Sequence, residues 1–316
     1  MKYTPLVALL VTVFCIHQTA YACINEFAAR LDGKLTESGL GSYKPRPAHD
    51  LSNKEQLQSN LHIADSLYKA SGNLAHYNDY GVQLIFNGKF EEAKAVFVDI
   101  EKKHPGIYQT ATNLGTIYEV LGKNDSALIW IKKGIKRNPD SHNGSEWIHV
   151  RILEAKLNKN DNWKYLNNHS LLKLNFGTTE TPTYKGKVDL RELAAQIETQ
   201  LSERISFIPP KDPIIAQLLF DLGNTVAIIE EVESALSIYK MAEEYGYSSD
   251  VLKTRKKHFI ALNKRAKVAD EVVPIPLHKP YIVNAVPYAV YALIAILFAA
   301  VPYWIYNKRK KQGQKP

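Results

Sequence analysis

Apolar residues along the middle of the chain recur with the spacing of one helix face. Tyr77, Tyr80, Gly81 and Leu84 fall at i, i+3, i+4 and i+7, and Phe90, Ala93, Phe97 and Ile100 at i, i+3, i+7 and i+10. This predicts two successive helices. Ala111, Leu114, Gly115 and Tyr118 repeat the first set, and Ala127, Ile131 and Gly134 the second. Leu57, Leu61, Ala64 and Tyr68 make another stripe, Leu190, Leu193, Ile197, Leu201 and Ile205 one more, and Val251 to Lys267 reads as a basic terminal cap. Two stretches depart from the pattern. Residues 167 to 187 lack helical period and are rich in Thr, Gly and Asn, which predicts a long loop or insertion. Residues 281 to 306 are apolar without a single charge.

The helical sets are copies. Gly81, Gly88, Ala93 and Pro105 recur as Gly115, Gly122, Ala127 and Pro139, each 34 positions on, and 34 is the period of a two-helix hairpin repeat. Each small residue has a place in such a hairpin. Gly81 set against Ala93, and Gly115 against Ala127, let two helices approach at the short end of the usual range. Gly88 and Gly122 stand where the first helix must end in a left-handed residue. Pro105 and Pro139 block continuation of the second.

These residues resemble the tetratricopeptide repeat family, which carries an aromatic or small residue, Leu, Gly, Tyr, Ala, Phe, Ala and Pro at the corresponding places. Residues 74–107 and 108–141 match in tandem, and 216–249 match more loosely through Leu219, Leu222, Gly223, Val226, Ala235, Tyr239 and Ala242, with Tyr247 where proline is usual. A unit from 142 keeps Ser145, Ile148 and Ile152, has His149 in the glycine place and loses the pattern near Asp161. The resemblance implies an all-α fold, an α-solenoid of helix-turn-helix hairpins over 57–271 after an N-terminal extension at 23–56, ending in a cap at 250–268. It further implies a partner-binding surface lined by first helices. Carried over position by position, that surface holds Ala75, Asn78, Asp79, Val82, Ile85 and Phe86, then Gln109, Thr112, Asn113, Thr116, Glu119 and Val120. Amides, hydroxyls and apolar groups in that mixture suit an extended peptide. The lysine and asparagine clamp with which some members grip a C-terminal carboxylate is not reproduced at Asn78 and Val82.

The two ends place this body. Residues 1–22 have a lysine-bearing start, an apolar run from Leu6 to Ile16 and Ala20-Tyr21-Ala22 at the close, the layout of a cleavable secretory signal. Cleavage would leave Cys23 first, the position of a lipidated cysteine, and would remove Cys15, so no internal disulfide is available. Residues 281–306, at about 1.5 Å each, span about 39 Å as a helix, enough to cross a bilayer. Tyr281, Tyr288, Tyr303, Trp304 and Tyr306 sit toward its ends, where aromatic rings prefer the headgroups. Residues 272–280 contain three prolines and predict a stiff spacer. The net charge of +8 is mostly terminal: Lys308, Arg309, Lys310, Lys311 and Lys315 with Lys2 leave +2 for the remainder. That argues against nucleic acid as partner and puts the tail from 307 on the cytoplasmic side, with the body outside, periplasmic in a two-membrane bacterium.

Candidate chemistry is sparse. The ten histidines form no metal-ligand pattern. Glu146 and His149 share a helix face as in di-iron bundles, but a second copy is missing, so His149 reads as a solvated or core-edge residue. Glu91-Glu92, Glu230-Glu231 and Glu243-Glu244 read as exposed-face charges, and no phosphate loop or nucleophile elbow occurs. The expectation is a non-enzymatic, cofactor-free, membrane-tethered scaffold for a protein or peptide partner, concerned with cell-envelope assembly or secretion. The alternative is an enzyme-associated or ligand-binding protein using the 167–187 insertion, with Asn175 and Thr178 to Thr183 as the sensitive residues.

Overall fold

The structure is a computed structural model that describes residues 27–37, 43–158 and 163–272. The signal segment, Cys23, the proline spacer, the 281–306 segment and the basic tail lie outside the described residues. The chain divides into a unit ending at Ala269 and a second beginning at Asp270; the architecture below is that of the first unit.

Among the described residues the fold is all-α apart from a short antiparallel hairpin. Strands β1 (Phe27–Ala29) and β2 (Leu35–Glu37) pair with Phe27 opposite Glu37 and Ala29 opposite Leu35, within a stretch the periodicity treats only as an extension. The helices follow as α1 (Lys54–Ser71), α2 (Leu74–Phe86), α3 (Phe90–Lys103), α4 (Tyr108–Val120), α5 (Asn124–Arg137), α6 (Glu146–Leu157), α7 (Leu190–Ile205), α8 (Pro213–Ile229), α9 (Val232–Glu244) and α10 (Asp250–Val272). Both bounds of α4 and of α5 stand 34 residues beyond those of α2 and α3. Consecutive helices from α1 to α9 pack on one another.

The punctuation works as its chemistry requires. Gly88 and Gly122 end α2 and α4 with φ of 72° and 73°. Asn73 caps α2 by accepting from the Ala75 amide at 2.7 Å, and Asp212 caps α8 through the Ile214 and Ile215 amides at 2.9 and 2.8 Å with Pro213 at the first helical position.

The close contacts differ in detail from the expected pairing of small with small. A Cβ on Gly81 would meet the Phe97 ring at 2.7 Å, and one on Gly223 would meet Tyr239 at 2.5 Å. A Cβ on Gly115 would strike Ile131. In each hairpin the residue 16 positions on fills the glycine notch, while Ala93 and Ala127 are simply buried. Position 149 breaks the series. Its counterpart, Tyr165, lies in a 3₁₀ turn (Trp163–Asn167), is 59% exposed and stacks on His169 at 3.7 Å. Among the described residues after α6, position 165 thus lies in a 3₁₀ turn rather than on a second helix pressed on the notch, so a histidine fits there.

Two main clusters form the core, one of α2, α3 and α4 residues around Phe97 and Leu114, the other of α6 to α10 residues around Leu219 and Tyr239. Helix α8 is buried on nearly every side from Ile214 to Ala227. Residues 168–189 form no helix and cross α8 and α10. Arg255, placed by the sequence in a basic cap, is instead wholly buried: it donates to the carbonyls of Phe176 and Gly177 (both 2.8 Å) and Thr179 (3.0 Å) and pins this insertion down. Tyr247, in the place of the usual proline, donates to the Asn167 carbonyl at 2.7 Å. Glu231 is also buried rather than exposed, and accepts from the Ser234 hydroxyl at 2.8 Å.

Candidate functional site

A cavity of about 480 Å³ opens between α4, α6 and α7, within the usual size for a ligand site. One wall is apolar, made by Phe90, Val120, Phe207 and Ile208. The rest of the lining is dominated by a charged network built on Glu119, whose side chain is only 8% exposed. Its Oε1 accepts from Lys156 at 2.6 Å and Arg204 at 2.9 Å, and its Oε2 from His149 at 2.6 Å and Arg204 at 3.3 Å. The other ring nitrogen of His149 meets Glu146 at 3.2 Å, and Glu146 holds His142 at 2.5 Å. His149 therefore lies buried between two carboxylates, not at a solvated edge.

Burial alone would raise the pKa of Glu119, but Arg204, His149 and Lys156 overcome it and hold the carboxyl well below its usual range. For Glu146, too, desolvation is outweighed, by hydrogen bonds from His142 and His149, and the pKa falls to about 2. Desolvation opposes protonation of His149, yet Glu119 prevails and raises its pKa; the Glu146 hydrogen bond does the same for His142. An imidazole between two carboxylates donates from both nitrogens only as the cation. The wall is thus a set of ion pairs in which four cationic groups, Arg204, Lys156, His149 and His142, share two carboxylates, Glu119 and Glu146, and the Arg204 Nε is left buried with no hydrogen-bond partner among the described residues.

The turn that presents His142 is strained. In the helical turn Ser141–Gly144, His142, Asn143 and Gly144 all lie in the left-handed region, with φ of 49°, 58° and 67°. Such residues cost on the order of 1–3 kcal/mol each when they are not glycine, and persist where surroundings over-determine them. Here helix α7 supplies that constraint: Asn143 donates to Thr199 at 3.1 Å, and Gln200 to the Ser145 hydroxyl at 3.1 Å. A second element leans over α7 from outside. The amides of Ala48 and His49 donate to the Ser202 carbonyl and the Ser206 hydroxyl, at 3.0 and 3.1 Å, and the His49 ring lies 4.5 Å from that of Phe86.

Of the residues assigned to a partner surface, Thr116, Glu119 and Val120 line this cavity. Val82 and Asp79 line a smaller hollow between α1 and α2. Ile85 and Thr112 are buried, the Thr112 methyl lying where a Cβ on Gly134 would be. Asn78 and Asn113 are half-buried and Gln109 is exposed. Among the described residues no three His, Cys, Asp or Glu side chains are arranged to hold a metal ion. His142, Arg204, Phe207 and Ile208 were not legible as site residues, because they belong to a strained turn, to the last turn of α7 and to the residues just after it, and the Arg204 partner Glu119 lies 85 residues away in sequence. No family model matches the chain, and no curated protein matches it either.

Proposed function

We propose that the chain is a tetratricopeptide-type α-solenoid scaffold, exported and tethered by residues 281–306, that binds a peptide segment of a protein partner without catalysing a reaction. The observation that carries this reading is the cavity beside Glu119. It lies where α4 and α6 meet α7, and pairs an apolar wall with a polar wall whose cations already contact carboxylates. A peptide side chain entering there buries apolar surface against Phe90, Val120, Phe207 and Ile208, at about 25 cal/mol per Å², without stripping an unpaired ion of water. Exported, extracytoplasmic placement and a role in envelope assembly or secretion are supported by the chain's two terminal hydrophobic segments.

The test is site-directed photocrosslinking in native membranes with a photoreactive phenylalanine at Val120 or Phe207, and at Ile129, 57% exposed on α5, as control. The expected outcome is one discrete protein adduct, identified by mass spectrometry, from Val120 and Phe207 but not from Ile129. Adducts independent of position, or none from the cavity positions, overturn the proposal.

A further inference from the structure

A second cavity, of about 230 Å³, lies between the insertion and the helices α8 and α10. At about 30 Å³ per water it has room for roughly eight, the bulk of a single sugar ring. Its floor is polar and buried: Gln217, Asp221 and Asn224 are 1%, 2% and 0% exposed. Three polar groups on one buried helix face are costly unless each finds partners. Gln217 accepts from the Leu171 amide at 2.9 Å, Asp221 from the Ser170 hydroxyl at 2.6 Å, and the Asn224 carbonyl from Tyr239 and Arg255 at 2.5 and 2.6 Å. The amide nitrogen of Asn224 is left buried with no hydrogen-bond partner among the described residues. Such a group calls for an occupant.

The character of the occupant follows from what is spent and what is not. The Arg255 guanidinium is committed to three carbonyls and Asn224, so it forms the frame and does not offer a fork to an anion. Burial pushes Asp221 up to about 7, which keeps much of it as a neutral acid able both to donate and to accept. At the mouth, Asn168 and Thr178 are exposed amide and hydroxyl groups. Phe220 and Tyr247, stacked at 4.4 Å, add an apolar wall.

We propose that this cavity binds a neutral, hexose-sized polyhydroxylated molecule, its hydroxyls bonded to Asn168, Thr178, Asp221 and Asn224 and its C–H face against Phe220 and Tyr247. This site is separate from the cavity beside Glu119 and does not depend on the peptide reading.

Saturation-transfer NMR on the purified full-length chain, in a non-glycosidic detergent, tests it with glucose, galactose, mannose, N-acetylglucosamine and myo-inositol as neutral probes and gluconate and inorganic phosphate as charged ones. The expected result is transfer to at least one neutral probe, weakened at least tenfold by Thr178→Trp, which fills the mouth, and reduced by Asn168→Ala. Both variants alter exposed side chains and should melt as the parent does. Transfer to no neutral probe, transfer to charged probes alone, or transfer that survives both substitutions overturns the proposal.

Discussion

Two largely buried carboxyl groups end on opposite sides of the usual carboxylate range, and the deciding quantity is the number of cations in contact. Glu119 has Arg204, Lys156 and His149 on its two oxygens, and their attraction outweighs desolvation. Asp221 has a serine hydroxyl, Gln217 and a more distant Arg255, and desolvation wins, giving about 7. Between about pH 4, where an unfolded aspartate loses its proton, and about pH 7, folded Asp221 keeps a proton that the unfolded chain has released. The folded state then binds more protons than the unfolded, so stability falls as pH rises through that window. Asp221→Asn is close in shape and cannot titrate. Its stability relative to the parent should therefore improve steadily from pH 4 to pH 7, by a few kcal/mol at most, and stay level above. Urea denaturation of both proteins at a series of pH values reads this difference directly, with the contribution of the Glu119 network cancelling between them. A difference independent of pH would mean that Asp221 is ionised in the fold.

The hairpin is the element at which packing is most sharply specified. Gly115 leaves a notch that Ile131 fills, and a Cβ there falls on the Ile131 side chain with its backbone nitrogen 3.3 Å away, so the strain cannot be relieved by a rotamer alone. Gly115→Ala should lower the unfolding free energy by about 1–3 kcal/mol, despite the better helix propensity of alanine. In an Ile131→Ala background the same change should cost much less, since the clashing atoms are gone. A double-mutant cycle from urea denaturation gives the coupling, and additive effects would refute the contact. The hairpins are legible in the sequence because each depends on residues within 34 positions of one another: apolar spacing, a left-handed glycine and a stopping proline are all local. What the sequence hides is non-local. The break at His149 shows as a missing glycine, but its meaning needs Glu119 30 residues before it and Arg204 from α7. The terminal cap looks basic because Arg255 has charge, whereas its carbonyl partners lie 76 to 79 residues earlier. The 27–37 hairpin, with three-residue strands, is too short for alternation to register.

At the scale of the whole molecule, the proposed tether raises the question of which side of a membrane the helical body would occupy. Among the described residues no helix is long and apolar enough to cross a bilayer, and both stretches that bear on topology, 1–22 and 281–306, lie outside them. Charge and length therefore carry the proposed topology. An apolar run of 11 residues, Leu6 to Ile16, is short for a span of about 30 Å but right for a cleaved leader. The 26-residue run from Tyr281 is followed, after Asn307, by four cationic residues, Lys308 to Lys311, which favour the cytoplasmic face by a cost of translocation that neutral flanks do not carry. The described body contains no cysteine, so its packing is indifferent to an oxidising compartment. Protease added to intact spheroplasts of cells producing the chain should accordingly digest the body while sparing a fragment that begins near residue 280 and keeps a C-terminal tag. Replacing Lys308, Arg309, Lys310 and Lys311 with glutamine should weaken that bias and yield a fraction of chains with the tag exposed. A body protected from external protease in the parent protein, with the tag digested, would reverse the topology and with it the extracytoplasmic partner.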